Sequence, residues 1–204
     1  MELEQALANV RLRLDTEAEK TPVRFHRIGE LTVAAPVACQ GPAPGGVAES
    51  EHVPHGAHAA WAAYVTHEIP PEPGTPAGPG PRPFRSPVVM VALVCAGREP
   101  HEVDAAEWFE PADDVGTVGE EVVWLCDEQA WRGIDDATAD RILGELRRAD
   151  GDPDAVPPNV ASTLIRADTG SNLIAVPCDQ VATRLFEGWD DAGRLVAVVW
   201  TMVE

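Results

Sequence analysis

Positive charge is scarce in this sequence. The chain of 204 residues contains 15 lysine and arginine residues against 34 aspartate and glutamate residues, which gives a formal net charge of −19 at pH 7. A charge of this size repels the phosphates of nucleic acids and the headgroups of anionic membranes. The composition therefore argues against a nucleic-acid or membrane partner and favours a basic protein as the partner.

Long apolar segments and paired cysteines are also missing. No run of residues approaches the length of a membrane span, and residues 1–20 have no apolar core of the signal-peptide kind. We therefore expect a cytoplasmic protein. The four cysteines never occur as Cys-x-x-Cys, which removes the spacing of a zinc ribbon, and Cys95 and Cys126 lie in apolar runs where buried free thiols are expected.

Catalytic motifs are absent as well. There is no Gly-x-Ser-x-Gly, and the glycine-rich segment 41–46 carries prolines where phosphate binding needs backbone N–H donors. Asp150, Asp152 and Asp154 begin like a calcium loop, but Ala155 and Ala161 occupy the positions of the required glycine and glutamate. The sequence therefore predicts no catalytic residue and no cofactor, and it favours a protein that is not an enzyme.

Three histidines in the segment EHVPHGAH form the one candidate metal site. They are His52, His55 and His58. In an extended chain this spacing sends His55 to the face opposite the other two, and Pro54 and Gly56 disfavour a helix that could realign them. We predict no metal here, and a metal-dependent hydrolase using this loop is the alternative function.

The sequence is richer in β-type segments than in helical ones. Strands are predicted over residues 57–66, 87–96, 122–126, 162–167, 173–176 and 195–203, with 183–189 following or continuing the strand at 173–176, and short β-compatible pieces over 23–37. An amphipathic helix over residues 1–20 should pack on a single domain formed by residues 21–204. A second helix over 137–148 should be capped by Asp136, and eight prolines in residues 69–87 predict an exposed loop. The expected fold is α+β and β-rich, with mostly antiparallel sheets forming a sandwich-like core.

The C-terminal part resembles a bacterial family called domain of unknown function 4241. The segment TLIRADTGSNLIAVP followed by LFEGWDDAGRLVAVVW is similar to the family pattern of a strand, Gly-x-Asn, a strand and a Gly-x-Asp-x-x-Gly-Arg hairpin. The residues that carry this similarity are Gly170, Asn172, Gly188, Asp190, Gly193 and Arg194, and upstream Asp114, Gly116, Thr117 and Asp127 fall on similar motif positions. The family's Gly-Asp-Gly-x-Tyr-Pro is not found at residues 179–184. The resemblance implies a β-rich fold and brings no activity with it.

Acidic residues are concentrated in the middle of the chain. Residues 101–155 contain seventeen aspartates and glutamates against four arginines. Acidic surfaces speed the encounter with basic partners and select among them. We therefore predict a non-catalytic, acidic protein-binding module, of the kind that neutralises a basic toxin as an immunity protein or antitoxin, with a subunit of a larger assembly as a further alternative. The predicted partner-binding residues are Glu107, Glu110, Asp113, Asp114, Glu120 and Glu121.

Overall fold

The computed structural model describes residues 1–14, 22–40, 48–65, 88–111, 116–117, 122–150, 160–178 and 182–203. The helices are α1 (Leu3–Leu14), α2 (Pro100–Ala105), α3 (Glu128–Arg132) and α4 (Asp136–Asp150). The strands are β1 (Val23–Val33), β2 (Val37–Gln40), β3 (Ala48–Ser50), β4 (Gly56–Val65), β5 (Val88–Val94), β6 (Glu107–Phe109), β7 (Gly116–Thr117), β8 (Val122–Asp127), β9 (Ala161–Leu164), β10 (Asn172–Pro177), β11 (Ala182–Trp189) and β12 (Leu195–Val203).

Two antiparallel sheets form the centre of the fold. The first sheet has seven strands in the order β1-β4-β5-β12-β11-β6, with β7 paired to β11 at one end. The second sheet has five strands in the order β3-β2-β8-β10-β9. The α+β, sandwich-like fold expected from the sequence is confirmed.

Apolar side chains fill three layers. The inner layer lies between the sheets and contains Leu31, Leu93, Leu125, Ile174 and Trp200, all at most 1% exposed. The other two layers bury the outer faces of the sheets against helices. The helix α1 and Val103 of α2 pack on the first sheet, while Ala130 of α3 and Ile142 of α4 pack on the second. The central strands are therefore covered on both faces, which explains why β5 and β8 are continuous apolar runs.

Several predicted elements are confirmed. Strands β4, β5, β8 and β12 lie within a residue or two of their expected positions, and Leu7 and Val10 of α1 are buried as the amphipathic pattern requires. The predicted extension of α1 through residues 15–20 and the proline-rich loop at 69–87 lie outside the described residues. No helix in the described ranges is long and apolar enough to cross a membrane.

Other elements differ from the expectation. Most of the region predicted as short pieces is a single strand, β1, with an irregularity between Arg27 and Gly29. Of the two arrangements left open for residues 183–189, the structure has a separate strand, β11, and it lies in a different sheet from β10. The cap of α4 is also displaced by one residue, because the Asp135 carboxylate, and not that of Asp136, accepts a hydrogen bond of 2.8 Å from the Thr138 N–H.

Candidate functional site

Two of the predicted partner-binding residues lie at the edge of the first sheet. Glu107 begins the short edge strand β6 and Glu110 follows it, and both residues are exposed. Asp113, Asp114, Glu120 and Glu121 lie outside the described residues. The described part of this acidic stretch is therefore the part that β6 anchors to β11.

Glu110 is not a free carboxylate. Arg184 of β11 donates two hydrogen bonds to it, from Nε to Oε1 at 2.8 Å and from a terminal nitrogen to Oε2 at 2.5 Å. These bonds lower the pKa of Glu110. Glu107 has no ion pair or hydrogen bond of its side chain within the described chain, so only Glu107 of this pair keeps its charge available.

Most described arginines are held in ion pairs inside the chain. Eight of them pair with carboxylates: Arg13, Arg27, Arg98, Arg132, Arg141, Arg166, Arg184 and Arg194. Ion pairs on a surface add little stability, but they do cancel charge locally. Glu51 and Glu107 are exposed, and neither forms an ion pair within the part of the chain that the structure describes.

A buried carboxylate lies beside β6. Side chains alternate along a strand, so Leu185, Glu187 and Trp189 of β11 share the face that looks toward the second sheet. Glu187 is only 3% exposed. Strand β6 pairs with β11 so that Phe109 lies opposite Glu187 and Glu107 opposite Trp189. Since directly paired residues share one face, Phe109 and Glu107 extend this face to the sheet edge.

The second sheet supplies the partners of Glu187. The Ser50 hydroxyl, at the end of β3, donates to Glu187 Oε1 at 2.5 Å, and His52 Nδ1 lies 3.0 Å from the same oxygen. A carboxylate can only accept here, so the proton is on His52 Nδ1. The imidazole also contacts Trp189 edge-on, with 5.2 Å between ring centroids. We call this group the edge site: His52, Glu107, Phe109, Glu187 and Trp189.

The edge site is open to solvent on one side. Phe109 is 48% exposed and the His52 side chain 55% exposed, whereas Glu187 is buried beneath them. The arrangement does not form a nucleophilic triad, because Ser50 is 1% exposed and gives its proton to Glu187 instead of to His52. Aromatic rings beside carboxylates form a surface suited to cations.

A second set of carboxylates lies next to Ser50. Desolvation, together with repulsion from Glu128 and Glu51, raises the pKa of Glu49 on β3. Neighbours on a strand point to opposite faces, so Ser50 faces Glu187 while Glu49 lies on the other face of β3, toward Glu128.

The histidine segment is mainly structural. The Ala96 N–H donates to His58 Nδ1 at 3.0 Å, so the proton is on Nε2, which donates to the Pro54 carbonyl at 2.7 Å. Both ring nitrogens of this buried residue are thus used. In the part of the chain that the structure describes, no three His, Cys, Asp or Glu side chains are grouped to hold a metal ion.

Cys95 and Cys126 are poor nucleophiles. Both are buried and free, which confirms the expectation for them, and Cys178 is buried as well. Burial raises the pKa of the Cys95 thiol to about 11 and also raises that of Cys126. The nucleophilic thiolate form is therefore disfavoured at neutral pH.

The motif residues behind the family resemblance have structural roles in this chain. The Asn172 side chain bonds to the backbone of β1 at the edge of the first sheet. It accepts from the Thr32 N–H at 2.7 Å and donates to the Glu30 carbonyl at 2.8 Å, as a neighbouring strand would. Gly188 leaves room for the Trp108 ring, which would lie 2.8 Å from an added Cβ. Asp190 accepts hydrogen bonds within the last hairpin.

Comparisons with protein families, curated proteins and solved structures found no match to this chain. The edge site therefore stands on its own geometry. Sequence reasoning identified Glu107 but did not place His52, Phe109, Glu187 and Trp189 together. One signal was present in LFEGW, where the inward positions of a strand are Leu185, Glu187 and Trp189, because a charged residue at an inward position is unusual.

Proposed function

We propose that this chain is a non-catalytic, cytoplasmic binding module that captures a basic protein, as an immunity protein or antitoxin neutralises a toxin. The observation that carries the proposal is the imbalance of available charge. Described arginines are largely bound to internal carboxylates, while Glu107, Glu49 and Glu51 form no ion pair with any described residue. A basic partner would supply the missing positive charge.

Electrostatics support capture of a partner more directly than they support catalysis. A net charge of −19 attracts a basic protein over distances near the screening length, about 8 Å at physiological salt, and raises the association rate. Short-range complementarity then selects the partner. The exposed carboxylates lie on or beside strands of two packed sheets, so little ordering is needed when the partner binds.

The first experiment identifies the partner and measures its charge dependence. The full chain is used to isolate interacting proteins from the native host, and the recovered protein is produced and titrated by calorimetry. We expect a basic protein whose affinity decreases as NaCl increases. The triple variant Glu49→Lys, Glu51→Lys and Glu107→Lys should weaken binding strongly. Glu110 is left unchanged, because reversing it would break the bonds to Arg184.

The control has the same net charge with the substitutions placed elsewhere. Glu2→Lys, Glu4→Lys and Asp140→Lys change exposed acids at the start of α1 and on α4, which packs on β9 and β10 at the other end of the second sheet from β3. This control should retain most of the affinity. A partner that is acidic, or a dissociation constant unchanged in both triple variants, would refute the proposed function.

A further inference from the structure

We infer that the edge site binds a single arginine or lysine side chain of the partner. This inference rests on the proposed function and states where one cation of the basic partner is held. The site brings together Phe109, Trp189 and His52, with Glu107 at the rim and Glu187 below.

On the outer face of β11 and β6, an aromatic ring and a carboxylate already hold a guanidinium group. There the Arg184 guanidinium lies 5.1 Å from the centre of the Phe186 ring and is bound by the Glu110 carboxylate. The chain thus fills one aromatic and carboxylate pair with its own arginine. On the opposite face, Phe109, Trp189 and Glu107 form a similar combination with no cation among the described residues.

Each component of the edge site favours a cation over a neutral group. The faces of indole and phenyl rings attract guanidinium and ammonium ions, and the attraction grows when water is excluded. Glu107 lies opposite Trp189 and has no side-chain partner among the described residues. Glu187 adds a negative charge from beneath, and its bonds to Ser50 and His52 keep it in place.

The test uses small probes of defined charge on the full chain. Acetylated tetra-arginine amide and its neutral analogue tetra-citrulline amide, which has nearly the same shape, are titrated into isotopically labelled protein and followed by NMR. We expect tetra-arginine to shift the backbone amides of 107–109 and 187–189 and the indole N–H of Trp189. Tetra-citrulline should leave these signals nearly unchanged.

Two variants locate the binding. Phe109→Ala and Glu107→Gln should each weaken tetra-arginine binding about 2- to 10-fold, as expected for the loss of one cation–π or one charge contact. Matched controls are Leu164→Ala, an exposed apolar residue at the edge of the second sheet, and Asp140→Asn, an exposed acid of α4, which packs on β9 and β10. Neither control should change the affinity.

The possible outcomes separate this inference from the proposed function. If tetra-arginine shifts only signals around Glu49 and Glu51, the edge site is not the cation site, although the chain can still be an acidic binding module. Equal shifts with tetra-citrulline, or equal loss in Leu164→Ala and Phe109→Ala, would also overturn the inference. The salt and charge-reversal titration with the partner tests the proposed function independently.

Discussion

Asp190 shows how one carboxylate can fix a turn. Its Oδ1 accepts from the N–H groups of Ala192 and Arg194, and its Oδ2 accepts from the side chains of Arg194 and Arg98. Gly193 completes the turn with φ of +70°, a conformation that other residues rarely adopt. The hydrogen bond from the Arg194 backbone N–H is the main cause that lowers the pKa of Asp190 to about 2, and the arginine side chains add to it.

This lowered pKa gives a pH-dependent prediction at the residue scale. Because the folded-state pKa lies below the unfolded value of about 3.9, the ionised carboxylate stabilises the fold fully above that value. The contribution disappears as pH falls through the folded-state pKa of about 2. We expect Asp190→Asn to lower the urea midpoint at pH 6, and the difference from the unchanged chain to shrink steadily toward pH 2.

The neighbouring residue provides the control for this experiment. Asp191 is exposed and its side chain makes no hydrogen bond or ion pair in the described chain. Asp191→Asn should therefore leave the urea midpoint nearly unchanged from pH 6 to pH 2. A difference between Asp190→Asn and the unchanged chain that stays constant over this range would show that Asp190 acts through packing and not through its charge.

At the scale of elements, Asp127 joins three segments of the chain. It is fully buried at the end of β8 and accepts hydrogen bonds from the N–H of Ala34 at 2.8 Å, the N–H of Ala130 at 2.7 Å and the hydroxyl of Ser171 at 3.1 Å. The first bond fixes the chain after β1, the second caps α3, and the third holds the turn before β10. A buried carboxylate is stable here because donors surround it.

Removing this carboxylate should be costly. Asp127→Ala leaves two backbone N–H groups without acceptors, and each unsatisfied buried group costs about 1–3 kcal/mol. We therefore expect a loss of roughly 3 kcal/mol or more in the free energy of unfolding, measured by urea denaturation. Ser171→Ala removes only one donor and should cost about 1 kcal/mol. Equal losses in the two variants would contradict the central role given to Asp127.

Elements that carry a strong local pattern could be predicted from the sequence. The β-branched runs of β5 and β8 and the apolar stripe of α4 indicate their structure without any partner. The short strands β2, β3 and β6 were not predicted, because a few residues carry little periodicity and their structure depends on pairing. The assignment of β10 and β11 to different sheets likewise depends on contacts that are distant in sequence.

The edge site could be predicted only in part for the same physical reason. Of its two acidic members, Glu107 follows from charge density alone. The other members come from three separate segments. The register of β6 on β11 places Phe109 opposite Glu187. The end of β3 and the residues after it bring Ser50 and His52 to the Glu187 carboxylate. A shift of one residue in that register would turn Phe109 to the opposite face.

At the scale of the whole molecule, the net charge of −19 acts on stability as well as on binding. Repulsion among like charges disfavours the compact state. Raising NaCl from about 0.01 M to about 0.1 M shortens the screening length from about 30 Å to about 10 Å, which weakens this repulsion. We expect the urea midpoint to rise over this range. The variant Glu2→Lys, Glu4→Lys and Asp140→Lys carries less net charge, so its rise should be smaller.

The same ions should have the opposite effect on partner capture, since they screen the attraction between acidic and basic surfaces. Stability that rises while affinity falls cannot be explained by unfolding, so the two titrations together isolate the electrostatic part of recognition. A midpoint that falls with NaCl would mean that the internal arginine pairs stabilise the fold more than the excess acids destabilise it.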